Sequence, residues 1–274
     1  MGKKTGITWT DSTWNPMTGC SKVSPACDHC YAERMQARFG KNFSPRFYPE
    51  RLDTPLHWHK GRRIFVNSMS DLFHEAFSFE EIAAVFGVMA SCPQHTFQVL
   101  TKRPERMCEF FNATKDWPLD VYPGQKRPVH VCVELAEQAG AKAKRYGVYP
   151  GRQVWPLGNV WLGVTVENHE QVWKRIPWLL DCPAALHFIS AEPLLGPLDL
   201  TPFLPDPGLT TRTTPAWKGA PALRWVICGG ESGQGARPMD PAYAVDLYEQ
   251  CGSRGVPFFF KQRGIATLDD ELRS

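Results

Sequence analysis

The stretch Val160-Trp161-Leu162-Gly163-Val164-Thr165-Val166-Glu167-Asn168 is apolar for most of its length, turns polar at its end, and is followed at once by a helical pattern over Glu170–Leu180. A run that is apolar on both faces is what a parallel strand needs when helices cover it. Arg63–Ser68, Thr96–Thr101, Leu186–Ala191, Trp225–Gly229 and Pro257–Lys261 read the same way, and Ile7–Thr10 reads as a short strand. Helical spacing fills the gaps. Tyr31, Met35 and Phe39 are four apart, and Phe79–Ser91 carries the stripe Ile82, Val85, Phe86 and Met89 behind Ser78 as N-cap with Glu81 three residues on. Pro104–Asn112 and Pro241–Gly252 follow the pattern, the latter with Asp240 as N-cap, Pro241 at the first turn and Gly252 as C-cap.

Repeated strand–helix units predict an α/β fold built as a parallel (β/α) barrel, partial or TIM-like. A doubly wound open sheet is the competing arrangement. One domain over residues 1–274 is expected, interrupted near 113–157, where Glu134–Tyr146 reads as a basic helix, and near the Pro- and Thr-rich 199–223.

Every strand ends in functional side chains. The ends read Asn67-Ser68-Met69-Ser70-Asp71, Thr101-Lys102-Arg103, Thr165-Val166-Glu167-Asn168, Ser190-Ala191-Glu192-Pro193, Gly229-Gly230-Glu231-Ser232 and Lys261-Gln262-Arg263. A parallel barrel gathers these ends on one face, where such folds keep their active sites. Gly230-Glu231-Ser232-Gly233-Gln234-Gly235 starts like a phosphate loop, but Ala236-Arg237 stand where Lys-Ser/Thr is required. Gly229 and Gly230 still permit close backbone approach to a ligand, and the Glu231 carboxylate suits an ammonium or a ribose.

The chain has 274 residues, 31 basic against 28 acidic, a net charge of +3 and 43% hydrophobic residues. These values exclude a polycation and global disorder. No apolar run approaches the roughly 18 residues of a membrane span. Met1-Gly2-Lys3-Lys4-Thr5-Gly6 is not followed by an apolar stretch, so a cytoplasmic protein without a membrane partner is expected. Of nine cysteines, Cys92, Cys108, Cys132, Cys182, Cys228 and Cys251 are scattered and read as small core hydrophobes. Cys20, Cys27 and Cys30 share one loop. Three clustered thiols suit an iron–sulfur cluster with one open iron. They also suit zinc with three cysteines and a histidine such as His74, or a metal-free loop.

Thr13-Trp14-Asn15-Pro16, Thr18-Gly19-Cys20, Cys27 and Cys30-Tyr31-Ala32-Glu33 resemble a phage- and prophage-associated family of unassigned function that carries a three-cysteine motif. The resemblance runs on through Arg63–His74, Gln94–Pro104, Val160–Glu167, Glu192–Pro197, Gly229–Asp240 and Val256–Gln262. That family in turn is similar to the radical S-adenosylmethionine enzymes, whose partial barrels bind a [4Fe–4S] cluster on a loop after the first strand. The C-x6-C-x2-C spacing departs from their usual C-x3-C-x2-C, and His29 stands where they carry an aromatic. Their Gly-Gly-Glu segment follows the second strand, where this chain has Asn67–Asp71, so its role does not transfer to Glu231.

The resemblance implies cluster ligands Cys20, Cys27 and Cys30. It implies S-adenosylmethionine contacts from Asn67, Ser68, Ser70 and Asp71, with Thr165, Ser190, Gly229 and Gly230 completing the cofactor's surroundings. Lys102, Arg103, Glu167, Glu192, Glu231 and Lys261 are the expected catalytic residues, with Arg263 joining the cations for an anionic substrate group. A reductant such as flavodoxin or ferredoxin, a nucleotide or nucleic-acid substrate, and a phage or host protein are the implied partners. Trp14, Trp58, Trp155 and Trp161 are the aromatics available to stack bases. The alternative is a non-catalytic zinc- or Fe–S-binding module on a barrel. A zinc hydrolase lacks any H-E-x-x-H-like set.

Overall fold

The computed structural model describes residues 5–114, 128–143, 155–206, 221–233 and 235–262. In chain order its strands are β1 Ser12–Trp14, β2 Met17–Thr18, β3 Arg46–Phe47, β4 Arg63–Val66, β5 Thr96–Thr101, β6 Val160–Thr165, β7 Leu186–Ala191, β8 Leu223–Cys228 and β9 Phe258–Phe260. Its helices are α1 Tyr31–Arg38, α2 Phe79–Ala90, α3 Pro104–Thr114, α4 Pro128–Gln138, α5 His169–Asp181 and α6 Pro241–Ser253. Seven strands form one parallel sheet in the order β1-β4-β5-β6-β7-β8-β9, while β2 and β3 make a small antiparallel pair. Apart from that pair, spatial order follows chain order without reversal. A doubly wound sheet requires a reversal, so that competitor is excluded. Right-handed crossovers in one direction put the helices on one face, and the sheet curls into a half-barrel.

Alternation along the strands builds two cores. Ile64, Val66, Phe97, Val99, Leu162, Val164, Ile189 and Val226 point outward and pack with Ile82, Val85, Val172, Leu179 and Leu247 of the helices. Phe65, Phe188 and Ile227 point inward with Trp9, flanked by Leu100, Trp161, Trp225 and Phe259. Each such buried side chain contributes on the order of 2 kcal/mol. Gly163 belongs to the inner face, where a Cβ would lie 2.6 Å from the Phe188 ring. The aromatic fills the space that the missing side chain leaves.

Most sequence expectations hold. Ser78 and Glu81 form a full capping box on α2, and Asp240 caps α6. The six scattered cysteines are all buried. Four readings change. The first strand is Ser12–Trp14, because Ile7–Thr10 closes a turn (Thr10 N to Ile7 O, 3.4 Å) that sends Trp9 onto Phe65 beneath the sheet. Tyr31, Met35 and Phe39 lie on or just past α1 as read, but they are 47%, 46% and 73% exposed rather than facing the core. The left-handed residue after α6 is Gly255 (φ 65°), two residues past the helix, not Gly252. The helix read at Glu134–Tyr146 is Pro128–Gln138; residues 144–146 lie outside the described residues, as do most of the two interrupting stretches. Among the base-stacking candidates, Trp14 and Trp155 pack against Phe97, Phe86 and Phe111 in the core.

Gly163→Ala should destabilise the fold by about 1–3 kcal/mol through overpacking against Phe188. Gly158→Ala, with no atom within 4 Å of its Cβ, should leave the urea midpoint unchanged. Equal midpoints for both variants would refute the close-packed inner face.

Candidate functional site

The inner-face alternation continues past the aromatic layer. Two residues beyond Phe65, Leu100, Gly163, Phe188 and Phe259 come Asn67, Lys102, Thr165, Ser190 and Lys261. All five border one cavity of about 350 Å³ whose floor is Ile7, Trp9, Phe65 and Leu100. Cys20, Cys27, Cys30, Tyr31 and Phe43 close another side, and Ser68, Ser70, Asp71, Glu192 and Glu231 complete the rim. The cavity thus lies at the carboxyl ends of the strands, with an apolar base and a polar rim. Its volume is in the range of a small-molecule site.

The cysteine loop is tied down on both flanks. Gly19 turns at φ 83°, and a Cβ there would meet Ser44 O at 2.1 Å, so only glycine fits. Its N–H donates to Met69 O at 3.0 Å, and Cys20 N–H donates to Phe43 O at 3.1 Å. On the β5 side, Arg103 Nη2 donates to Ser21 O (3.1 Å) and Ser21 Oγ (2.8 Å) and reaches Cys20 Sγ at 4.0 Å. Arg103 Nη1 pairs with Glu75 at 2.8 Å. On the β8 side, Arg237 Nη2 donates to Pro25 O (2.8 Å) and to Glu231 Oε1 (2.6 Å). Glu231 Oε2 accepts from Arg237 N (2.8 Å), Arg237 Nε (3.1 Å) and His29 Nδ1 (2.7 Å).

Glu231 is 5% exposed. Burial alone would raise its pKa, but the Arg237 and His29 hydrogen bonds outweigh it, and the carboxyl is pushed down to about 2. Its oxygens are filled by the chain's own donors. It therefore clamps the loop rather than gripping a ligand. Gly233 (φ 99°) and Gly235 (φ 73°) let the segment fold back so that Arg237 reaches Glu231, which is what the phosphate-loop-like glycines do here.

The other predicted residues divide by partner. Asp71 is 7% exposed. Its Oδ1 accepts from Phe73 N (3.0 Å) and Thr101 Oγ1 (2.6 Å), and its Oδ2 accepts from Lys102 N (2.9 Å), which staples the β4 end to the β5 end. Ser70 Oγ donates to Met17 O at 3.1 Å, and Ser68 Oγ donates to Asn15 Oδ1 at 3.2 Å. The Tyr31 hydroxyl donates to Ser68 O. Lys261 pairs with Glu192, and Lys102 Nζ donates to Thr165 Oγ1 at 3.4 Å.

Glu167 stands apart from the cavity. It is fully buried on Arg175 (2.8 Å), with its Oε1 unpartnered among the described residues. The amides of Gly229 and Gly230 are engaged by Ala191 O (3.1 Å) and Gln262 O (2.8 Å), so neither is open to a cofactor. Arg263 lies outside the described residues.

Asn67 differs from all of these. It is 2% exposed and holds φ 57°, a left-handed conformation that Asn tolerates better than most. Its Oδ1 accepts from Met17 N at 3.3 Å, but its Nδ2 has no acceptor among the described residues. Trp9 Nε1, on the floor, is likewise buried without an acceptor. A buried donor without a partner costs roughly 1–3 kcal/mol, and a ligand acceptor in the cavity removes that cost.

Burial pushes the Cys20 thiol up to about 11, with the Asp71 charge adding to it and Arg103 opposing. The free thiol is therefore protonated at neutral pH. His74 is no ready fourth ligand. Its Nδ1 accepts from Ala76 N (3.1 Å), which leaves Nε2–H to donate to Ser21 Oγ at 2.9 Å. Among the described residues, no three His, Cys, Asp or Glu side chains are gathered so as to hold one metal ion.

Sequence reading did not find Arg237, His29, Arg175 or Asn15. Arg237 and Arg175 lie only six and eight residues from their acids, Glu231 and Glu167, but charges at such spacing are common and burial selects the pair. His29 is 202 residues from Glu231 and leaves no local signal.

Fold and site together define an α/β half-barrel with a thiol-walled cavity at the carboxyl ends of its strands. Over residues 4–272 the sequence matches the family described as "Protein of unknown function (DUF5131)", and the chain belongs to it. No curated protein and no solved structure matches it. No helix among the described residues is long and apolar enough to cross a membrane.

Glu231→Ala should release the loop while the barrel stays folded. Trypsin should then cut after the exposed Lys22 at least several-fold faster, read by mass spectrometry of the first fragments. An unchanged cleavage rate would mean that the Arg237–Glu231 pair does not hold the loop.

Proposed function

We propose that the chain is a radical S-adenosylmethionine enzyme of the partial (β/α) barrel type. The observation that carries this reading is that Cys20, Cys27 and Cys30 border the same strand-end cavity as the buried, unpartnered Asn67 amide. The three thiols would hold a [4Fe–4S] cluster, leaving one iron for the cofactor. Each thiolate then bonds a different iron, so the sulfurs stand apart. A single zinc at about 2.3 Å from each sulfur draws them to within about 4 Å of one another. The doubly engaged His74 counts against a zinc clip of three cysteines and that histidine.

When bound, the cluster supplies an electron to the sulfonium of S-adenosylmethionine, and so a 5′-deoxyadenosyl radical for hydrogen abstraction. The chain's own residues do the rest. Arg103 sets a positive charge beside Cys20, which favours its thiolate. Asn67 Nδ2 and Trp9 Nε1 offer N–H groups to acceptors on the cofactor. Trp9, Phe65 and Leu100 keep water from the base of the cavity. The Lys261–Glu192 pair and Lys102 line the opposite wall, where substrate enters. An external one-electron donor such as flavodoxin or ferredoxin completes the reading.

Anaerobically purified protein should contain about four irons and four sulfides per chain with a broad brown absorbance, and Cys27→Ala should lose both while its circular dichroism stays native. Full iron content in that variant, or one zinc and no sulfide in the wild type, would overturn the assignment. In cluster-loaded protein, Asn67→Gly keeps the left-handed backbone and removes the amide. It should weaken S-adenosylmethionine binding about tenfold with iron content unchanged, measured by equilibrium dialysis; equal affinity would remove Asn67 from the site.

A further inference from the structure

A second cavity, of about 420 Å³, opens beside the first and shares Lys102 and Val23 with it. Five cations line it: Lys102, Arg103, Arg106, Lys174 and Arg175. Two of them are neutralised, Arg175 by Glu167 and Arg103 by Glu75. Lys102, Arg106 and Lys174 pair with no carboxylate among the described residues. Arg103 Nε and Arg106 Nε are buried without an acceptor there.

Three carboxylates, Glu75, Glu105 and Glu109, also line the cavity. Glu75 is 60% exposed and Glu109 is exposed, while Glu105 is half-buried; neither Glu105 nor Glu109 joins an ion pair among the described residues. An anion in this cavity would meet unneutralised cations and guanidinium donors that lack an acceptor. Several converging cations suit a phosphate, which carries more charge and more acceptor oxygens than a carboxylate.

We propose that this cleft holds the phosphate of a phosphomonoester or phosphodiester substrate whose reacting part reaches past Lys102 into the thiol-walled cavity. Lys102 stands at the junction, with Nζ on Thr165 of the first cavity and its stem in the second. The substrate would thus be long enough to occupy both cavities, with its phosphate held away from the reacting atoms. That the inner part is a radical reaction rests on the function proposed above; the binding of phosphate does not.

The test is calorimetry with inorganic pyrophosphate as the probe, on the full chain, at low and then at physiological salt. Wild type should bind with a sub-millimolar Kd that weakens as salt is raised. Lys174→Gln, an exposed position, and Arg106→Gln should each weaken binding about tenfold. Circular dichroism identifies a misfolded Arg106 variant, in which case Lys174→Gln alone decides. No binding by wild type, or equal affinity in Lys174→Gln, would overturn the proposal. Iron and sulfide analysis of the same wild-type protein separates the two readings. Pyrophosphate binding retained in a wild type that assembles no cluster would sink the radical reaction and keep the phosphate cleft. A wild type that assembles the cluster but does not bind pyrophosphate would do the reverse.

Discussion

The two-residue alternation of the parallel strands is the constraint on which the rest depends. Outward residues are fixed by the need to bury the helices, so the inward set has no choice of register. Along β4, β5, β7 and β9 that set reads aromatic or aliphatic first and polar two residues later, in Phe65 to Asn67, Leu100 to Lys102, Phe188 to Ser190 and Phe259 to Lys261. One slip by one residue on any strand would send a polar side chain into the helix layer and an aromatic out of the floor. The cavity is therefore specified by the same burial that holds the fold, and Gly163 opposite Phe188 shows how closely that burial is fitted.

The cysteine loop is not part of the alternation and needs separate anchors. It receives them from two separate strands of the sheet, Arg103 after β5 and the Arg237–Glu231 pair after β8. Both arginines bind loop carbonyls, which an arginine does with a planar fork of donors and a permanent charge. Buried Glu231 is kept ionised by Arg237 and His29 and has no spare acceptor. A carboxylate that looked like a ligand contact is thus a support for the loop, and the cavity-lining residues that keep a buried donor without a partner among the described residues are Asn67 and Trp9.

Much of this was legible in the sequence, and the pattern of what was not has physical causes. Long apolar strands such as Val160–Thr165 and helices with caps such as Ser78 and Asp240 announce themselves locally. β1 is only three residues, Ser12-Thr13-Trp14, and half polar, so the neighbouring Ile7–Thr10 drew the reading instead. The exposed stripe Tyr31, Met35 and Phe39 has helical spacing, but spacing does not say whether a core lies opposite. Of the predicted site residues, those on the inner face of the strand ends meet at the cavity. Glu167, two residues past β6, is taken by Arg175 from α5. Gly229 and Gly230 are taken by the sheet itself. The glycine pairings join separate strand ends and leave no trace in a local window. Arg175 is eight residues from Glu167, and only burial in the folded chain selects that pair.

The ionic economy of the strand ends also separates what supports the site from what faces a ligand. Glu167, Glu231 and Glu192 each have a cation of their own, and Asp71 has three hydrogen-bond donors. Acid groups at the strand ends thus hold loops and helices in place, Glu167 Oε1 being left without a donor among the described residues. The donors are in excess: Asn67, Trp9, Arg103 and Arg106 each keep a buried N–H without an acceptor among the described residues. Buried N–H groups are ordinarily paired, so a surplus of donors at the two adjoining cavities calls for acceptors from outside the chain. What such donors need is an acceptor atom, whatever the net charge of the molecule that carries it, so carboxylate, phosphate, carbonyl or ring-nitrogen acceptors would all meet the requirement.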